Sequence, residues 1–193
     1  MLGAETTRFI LKYLQDLNNI KRGKIAFSPI IAEWRPPEQG ICKINFDAAV
    51  EIKMQTSCSG LIVRDWKGEI LANKTITHEN IPMRFAAKAI VCLQAVILGR
   101  DLGLKFVDIE GDCLTVIKKA QNRSKDKSVL NAYIQDIQEL CKSFYESKFH
   151  YVSREANKKE HDLASKALKM AENTYLIYKL VDERVTEADI DRG

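Results

Sequence analysis

The chain has 193 residues, 46% of them apolar, which is enough to bury a real core and fits one domain with appendages. No stretch approaches the continuous apolar run of about 18 residues that a membrane-spanning helix requires. The N-terminus "MLGAETTRFILKYL" lacks the charged, apolar, small-residue order of a secretory signal, so a soluble protein of the nucleus or cytoplasm is expected, with no membrane partner. Five scattered cysteines, Cys42, Cys58, Cys92, Cys113 and Cys141, contain no C-x-x-C pair and read as reduced thiols, neither a disulfide framework nor a zinc ribbon.

In chain order, residues 4–23 repeat Phe9 or Ile10, Tyr13, Leu14, Leu17 and Ile20 at helical spacing and predict an amphipathic helix ending near Gly23. The paired prolines of "EWRPPEQG" break it and mark a boundary. The division follows: residues 1–33 as helix and linker, 34–171 as the domain, and 172–193 as an acidic tail. Three strand-like runs come next, "CKINFDAAV", "SCSGLIVRD" and "EILANKTIT", with "WKG" turning the second into the third through Gly68 at positive φ. They predict three consecutive antiparallel strands.

The run "FAAKAIVCLQAVILGRDLG" is apolar nearly all round and predicts a helix buried against a sheet, with Gly99 and Gly103 as candidate end signals. Then follow a short strand "FVDIEGD", a short helix "CLTVIKKAQN", a longer helix "SVLNAYIQDIQELCKSF", a strand "KFHYVSR" and a closing helix "NKKEHDLASKALKMA". The order βββαβααβα implies a mixed sheet with flanking helices and a ligand site near the carboxyl ends of its strands.

The net charge of +4 is too small to identify a nucleic-acid binder, but it is uneven. Residues 112–170 carry 12 Lys and Arg against 8 Asp and Glu, while the tail from 171 carries 3 against 6. Lys118, Lys119, Arg123, Lys125 and Lys127 cluster around the short helix and its loop. They read either as a solvated surface, which charge counting alone favours, or as groups that neutralise phosphates.

Two carboxylates stand at strand ends. Taken alone, Asp112 reads as a cap for the helix beginning at Cys113, and Asp47 as a surface strand residue. As a pair on neighbouring strands they are suited to share a divalent cation, and two cations about 3.5–4 Å apart clamp the attacking and leaving oxygens of a phosphodiester.

Five segments in order, "WRPPEQGICKINFDAA", "GLIVRDWKGEIL", "AAKAIVCLQAVILGRDLGL", "VDIEGDCLTVIKKA" and "YVSREANKKEHDLA", resemble the plant ribonuclease-H-like, reverse-transcriptase-like family, related to the ribonuclease H of retroelements. The likeness spans roughly Trp34 to Ala171. It implies an α/β fold with a five-stranded sheet in order 3-2-1-4-5. It also implies four acidic residues that hold two Mg2+ ions and cleave the RNA strand of an RNA–DNA hybrid.

Carried over by position, the first acid matches Asp47 and the third, in the family's G-D step, matches Asp112. The second lies in an A-E-A context, and this chain has "AKA", so Lys88 stands there. The fourth falls four residues after Asn157 and two before Leu163, which is His161. Helical spacing agrees, because His161 shares a stripe with Ala164 and Leu168, whereas Asp162 shares one with Lys158 and Lys166 and reads as an exposed ion-pair partner.

The exchange at 88 matters most. Unit charges about 4 Å apart interact by about 4 kcal/mol at an effective dielectric near 20, and a divalent ion would feel about twice that as repulsion from an ammonium. Lys88 is accordingly expected between Asp47 and Asp112, in place of a cation; the other arrangement turns it to solvent beside Arg84. His161 is either a weak magnesium ligand or a half-buried histidine with no ligand.

Three functions follow: a nucleic-acid-binding module for RNA–DNA hybrid or RNA with impaired cleavage, an active hybrid ribonuclease, and a non-catalytic protein-interaction domain. In the first, Lys118 to Lys127, with Lys158 and Lys159, would contact backbone phosphates.

Overall fold

The computed structural model describes residues 33–81, 83–122 and 130–179. The expected N-terminal helix and the candidate residues Arg123, Lys125 and Lys127 lie outside the described residues. Three strands open the fold, β1 (Cys42–Glu51), β2 (Thr56–Arg64) and β3 (Ile70–His78). They pair antiparallel, with Asp47 opposite Gly60 and Gly60 opposite Thr75. At the β2–β3 turn the Asp65 carboxylate accepts from the backbone N–H groups of Lys67 and Glu69, and Gly68 takes φ +82°. The Trp34 ring lies against that glycine, where a Cβ would come within 3.3 Å of it.

After the hairpins come α1 (Arg84–Asp101), β4 (Phe106–Gly111), α2 (Leu114–Gln121), α3 (Asn131–Leu140), β5 (Glu146–Tyr151), α4 (Lys158–Met170) and β6 (Thr174–Ile177). The mixed sheet runs β5-β4-β1-β2-β3-β6, with β4 parallel to both β1 and β5. The expected order of the five strands is present, and a sixth is added at the outer edge. Residues 174–177, within the expected acidic tail, pair antiparallel with β3, and the Thr75 and Thr174 hydroxyls bond at 2.9 Å.

Alternation along β1 divides the molecule into two chemically different layers. Ile44, Phe46 and Ala48 point toward α1, which is packed between the sheet and α3 and is therefore apolar on most of its surface. Gly99 lies inside α1 and does not end it; a Cβ there would stand 2.8 Å from Ile44 Cδ1, so it permits close approach of helix and strand. The helix stops before Gly103, at φ +71°. Lys43, Asn45 and Asp47 point to the opposite face, which α4 covers.

Gly60, beside Asp47, sets how closely α4 sits. A Cβ at Gly60 would come within 2.5 Å of the Glu160 carbonyl oxygen and 2.9 Å of Ala164 Cβ. All five cysteines are unpaired; burial, with Asp65 nearby, pushes the Cys42 thiol up to about 11, and burial pushes Cys58 up to about 11. Among the described residues no helix is long and apolar enough to cross a membrane.

Candidate functional site

The parallel register of β1 and β4 pairs Phe46 with Gly111, so the next residues of the two segments, Asp47 and Asp112, emerge side by side. α1 begins at the same end of the sheet, and Lys88, one turn in, reaches across to both. Its ammonium donates to Asp47 Oδ1 and, over 2.5 Å, to Asp112 Oδ1. From the covering helix α4, His161 Nδ1 lies 2.7 Å from Asp47 Oδ2. Against a carboxylate that nitrogen is the donor, which leaves Nε2 toward the Ser165 hydroxyl at 3.4 Å. Lys88 and His161 together thus engage both oxygens of Asp47.

Burial alone would favour loss of the Lys88 proton. The adjoining Asp47 and Asp112 carboxylates outweigh it and hold the amine above the ordinary lysine value. Burial, reinforced by Asp47, raises the carboxyl of Asp112, with Lys88 pulling the other way. Asp112 does not cap α2: the cap residue is Cys113, with no side-chain cap bond. Asp47 is not a surface residue either, being 1% exposed.

Next to this cluster, on the same face, lies a buried polar network that sequence reasoning missed. Lys43 Nζ pairs with Glu110 Oε1 at 2.7 Å and donates to the Arg35 carbonyl at 2.8 Å. Asn45 donates to Glu110 Oε2 and accepts from Trp34 Nε1 and Arg64 Nη1, each at 2.9 Å. The Trp34 ring is approached by Lys43 and by the Arg64 guanidinium, 5.7 and 5.0 Å from its centroid. Arg64 Nη1 also stands 2.8 Å from Glu160 Oε1, an ion pair by distance without hydrogen-bond alignment. Burial raises the Glu160 carboxyl and Arg64 opposes it. Asn157 Nδ2 donates to the Phe46 carbonyl at 2.7 Å, tying the start of α4 to β1 one residue before Asp47. These bonds fix the helix that carries His161. The available signal was the alternation of Lys43, Asn45 and Asp47 with Ile44, Phe46 and Ala48, which marks a polar strand face without showing that it is covered.

Lys88, Asp112 and His161 form the floor of an open cleft of about 710 Å³, with Asp47 buried beneath them. Its walls include Arg84, Arg154, Ser165, Leu168 and Lys169, and the end of β1 from Ala48 to Glu51. Lys118 and Lys119 are half-buried on α2 and do not line it; Lys158 and Lys159 are exposed on the first turn of α4 and also lie outside its lining. Asp162 is exposed as expected, but among the described residues it forms no ion pair with Lys158 or Lys166. Among the described residues no group of three His, Cys, Asp or Glu side chains is placed to hold a metal ion.

Fold and site together define a ribonuclease-H-like protein. The family model described as reverse transcriptase-like matches residues 45–167, and the chain belongs to that family. Among solved structures, ribonuclease H1 from the halophilic archaeon Halobacterium salinarum is similar at a TM-score of 0.63 and 21% identity, over 67% of this chain and 98% of that one. The N-terminal ribonuclease H domain of a Mycobacterium tuberculosis protein, solved as a fusion with maltose-binding protein, gives 0.61 and 18% over 68% and 95%. LC11 ribonuclease H1, solved in complex with an RNA/DNA hybrid, gives 0.60 and 17% over 67% and 98%. At these identities the likeness is one of fold. No curated protein matches the chain significantly.

Proposed function

We propose that the chain is a nucleic-acid-binding module of ribonuclease-H fold, for RNA–DNA hybrid or RNA, in which two-metal cleavage is impaired. The observation that carries this is the Lys88 ammonium between Asp47 and Asp112. Family resemblance calls for Mg2+, but the residues present do not fit it. A divalent ion beside Asp47 would meet an ammonium already bonded to both carboxylates, and a lone unit charge about 4 Å away opposes a divalent ion by about 8 kcal/mol at an effective dielectric near 20. His161 further occupies Asp47 Oδ2 and supplies a nitrogen, which suits magnesium poorly. No hydrolytic step is assigned to these groups. What the cluster does is offset two acids in place, keeping the middle of β1, the end of β4 and both helices in register around the cleft.

The nucleic-acid partner is supported by family membership and by the fold shared with a ribonuclease H1 solved in complex with an RNA/DNA hybrid. The test compares cleavage of a labelled RNA–DNA hybrid in magnesium by the unmodified chain and by the double variant Lys88→Glu with His161→Asp. Binding without cleavage is expected from the first, and measurable cleavage from the second. Robust magnesium-dependent cleavage by the unmodified chain would overturn the reading.

A further inference from the structure

Three cations from separate parts of the chain converge on the walls of the cleft: Arg84 opens α1, Arg154 lies in the turn before α4, and Lys169 lies in the last turn of α4. All three are exposed, and among the described residues none has a carboxylate within ion-pair distance. Some exposed cations elsewhere are paired, Arg100, Lys142, Lys148 and Lys179 with Asp101, Glu139, Glu146 and Glu69, while others such as Lys158, Lys159 and Lys166 have no ion pair among the described residues; what sets the trio apart is its convergence on one cleft. Among the described residues the carboxylates in the lining are Glu51 and Asp112, and Asp112 is already engaged by Lys88. The Ser165 hydroxyl stands on the same wall, 3.4 Å from His161 Nε2.

The sign of the field follows from these groups. Four acids on a cleft floor repel a phosphate, and bound cations are needed to bring one in. Here the ammonium of Lys88 stands against Asp112 and the buried Asp47, and the walls carry Arg84, Arg154 and Lys169 against the single carboxylate of Glu51, with Glu155 beside Arg154 outside the lining. Such a cleft attracts a phosphate with no metal present. Its volume is in the range that takes a small ligand or a short strand segment.

We infer that this cleft is a metal-independent phosphodiester subsite, in which Arg84, Arg154 and Lys169 hold backbone phosphates of one nucleic-acid strand. The inference rests on the nucleic-acid reading above, and it adds that magnesium is not needed for binding and that this trio grips the backbone at the cleft.

The experiment is fluorescence anisotropy of the full chain with a fluorescein-labelled RNA–DNA hybrid, in EDTA and in magnesium, across a salt series. The variants are Arg84→Ala/Arg154→Ala/Lys169→Ala and, as an equal loss of charge elsewhere, Lys142→Ala/Lys148→Ala/Lys179→Ala. The unmodified chain is expected to bind equally well in EDTA. The cleft triple variant should bind roughly tenfold more weakly or worse, and its slope of log affinity on log salt should be shallower by about three, one for each phosphate no longer neutralised. The control triple should change little. Binding that appears only with magnesium, equal losses in the two triples, or an unaffected cleft variant would overturn the inference while leaving hybrid binding in place. No binding by the unmodified chain would overturn both readings.

Discussion

Lys88 donates to a carboxylate that solvent does not reach: the lysine side chain is 18% exposed and its acceptor Asp47 only 1%. The same ammonium holds Asp112, which is 13% exposed, so a single cation bridges two neighbouring acids. Removing one partner from a buried pair costs about 3–5 kcal/mol, because the remaining charge stays unpaired. Lys88→Met keeps most of the stem and removes the charge. Urea denaturation at neutral pH should show a loss in that range. A loss under about 1 kcal/mol would mean that the ammonium is not what neutralises this floor.

The seating of α4 on the sheet should be equally sensitive. Gly60→Ala forces a methyl toward the Glu160 carbonyl oxygen and Ala164, both backed by the helix itself. Overpacking of this kind costs about 1–3 kcal/mol. The variant should melt earlier, and the His161 ring resonances should shift as the helix lifts from Asp47. Unchanged melting would show that α4 rests on the sheet less closely than described.

Much of this was legible beforehand. The strand-like runs "CKINFDAAV" and "SCSGLIVRD", with the turn at "WKG", marked the central strands, and the all-round apolar run after Phe85 marked the buried helix, because burial on two sides removes polar positions from a helix. Position within the resemblance singled out Lys88 and His161. Lys43, Arg64, Glu110 and Glu160 escaped because a charged side chain is by default a surface one, and only the packing of α4 over β1 shows them to be buried and paired. Residues 174–177 escaped because four residues beside an acidic stretch carry too little periodicity to stand out, and the pairing partner, β3, lies about a hundred residues earlier. The trio Arg84, Arg154 and Lys169 is scattered through the chain and is assembled only by the fold.

Acid should destabilise the fold through His78. Burial holds this imidazole below the ordinary 6.5, and its Nε2 lies 2.9 Å from the Ser59 hydroxyl. The folded state therefore binds fewer protons than the unfolded one, so the stability contributed by neutral His78 is complete above about 6.5 and is lost as pH falls through the lower folded value. Thermal melts at stepped pH should show this loss in the unmodified chain and a flatter response in His78→Gln. Identical slopes in the two would contradict the assignment.

The buried thiol of Cys58 should be slow to react. Raising a thiol from 9.0 to about 11 lowers its thiolate fraction near neutral pH about a hundredfold. Alkylation of the folded chain by iodoacetamide, followed by peptide mass spectrometry, should leave Cys58 unmodified until denaturant is added. Labelling at the rate of an unfolded cysteine would contradict both its burial and its raised value.

The central claim is that an ammonium stands where the family's chemistry would seat metal, and calorimetric titration of magnesium tests it most directly. The unmodified chain should give no tight binding, and Lys88→Glu with His161→Asp should gain a saturable magnesium heat at the same protein concentration. Tight two-site binding by the unmodified chain would contradict the account, because it would require Lys88 to leave Asp47 and Asp112 open.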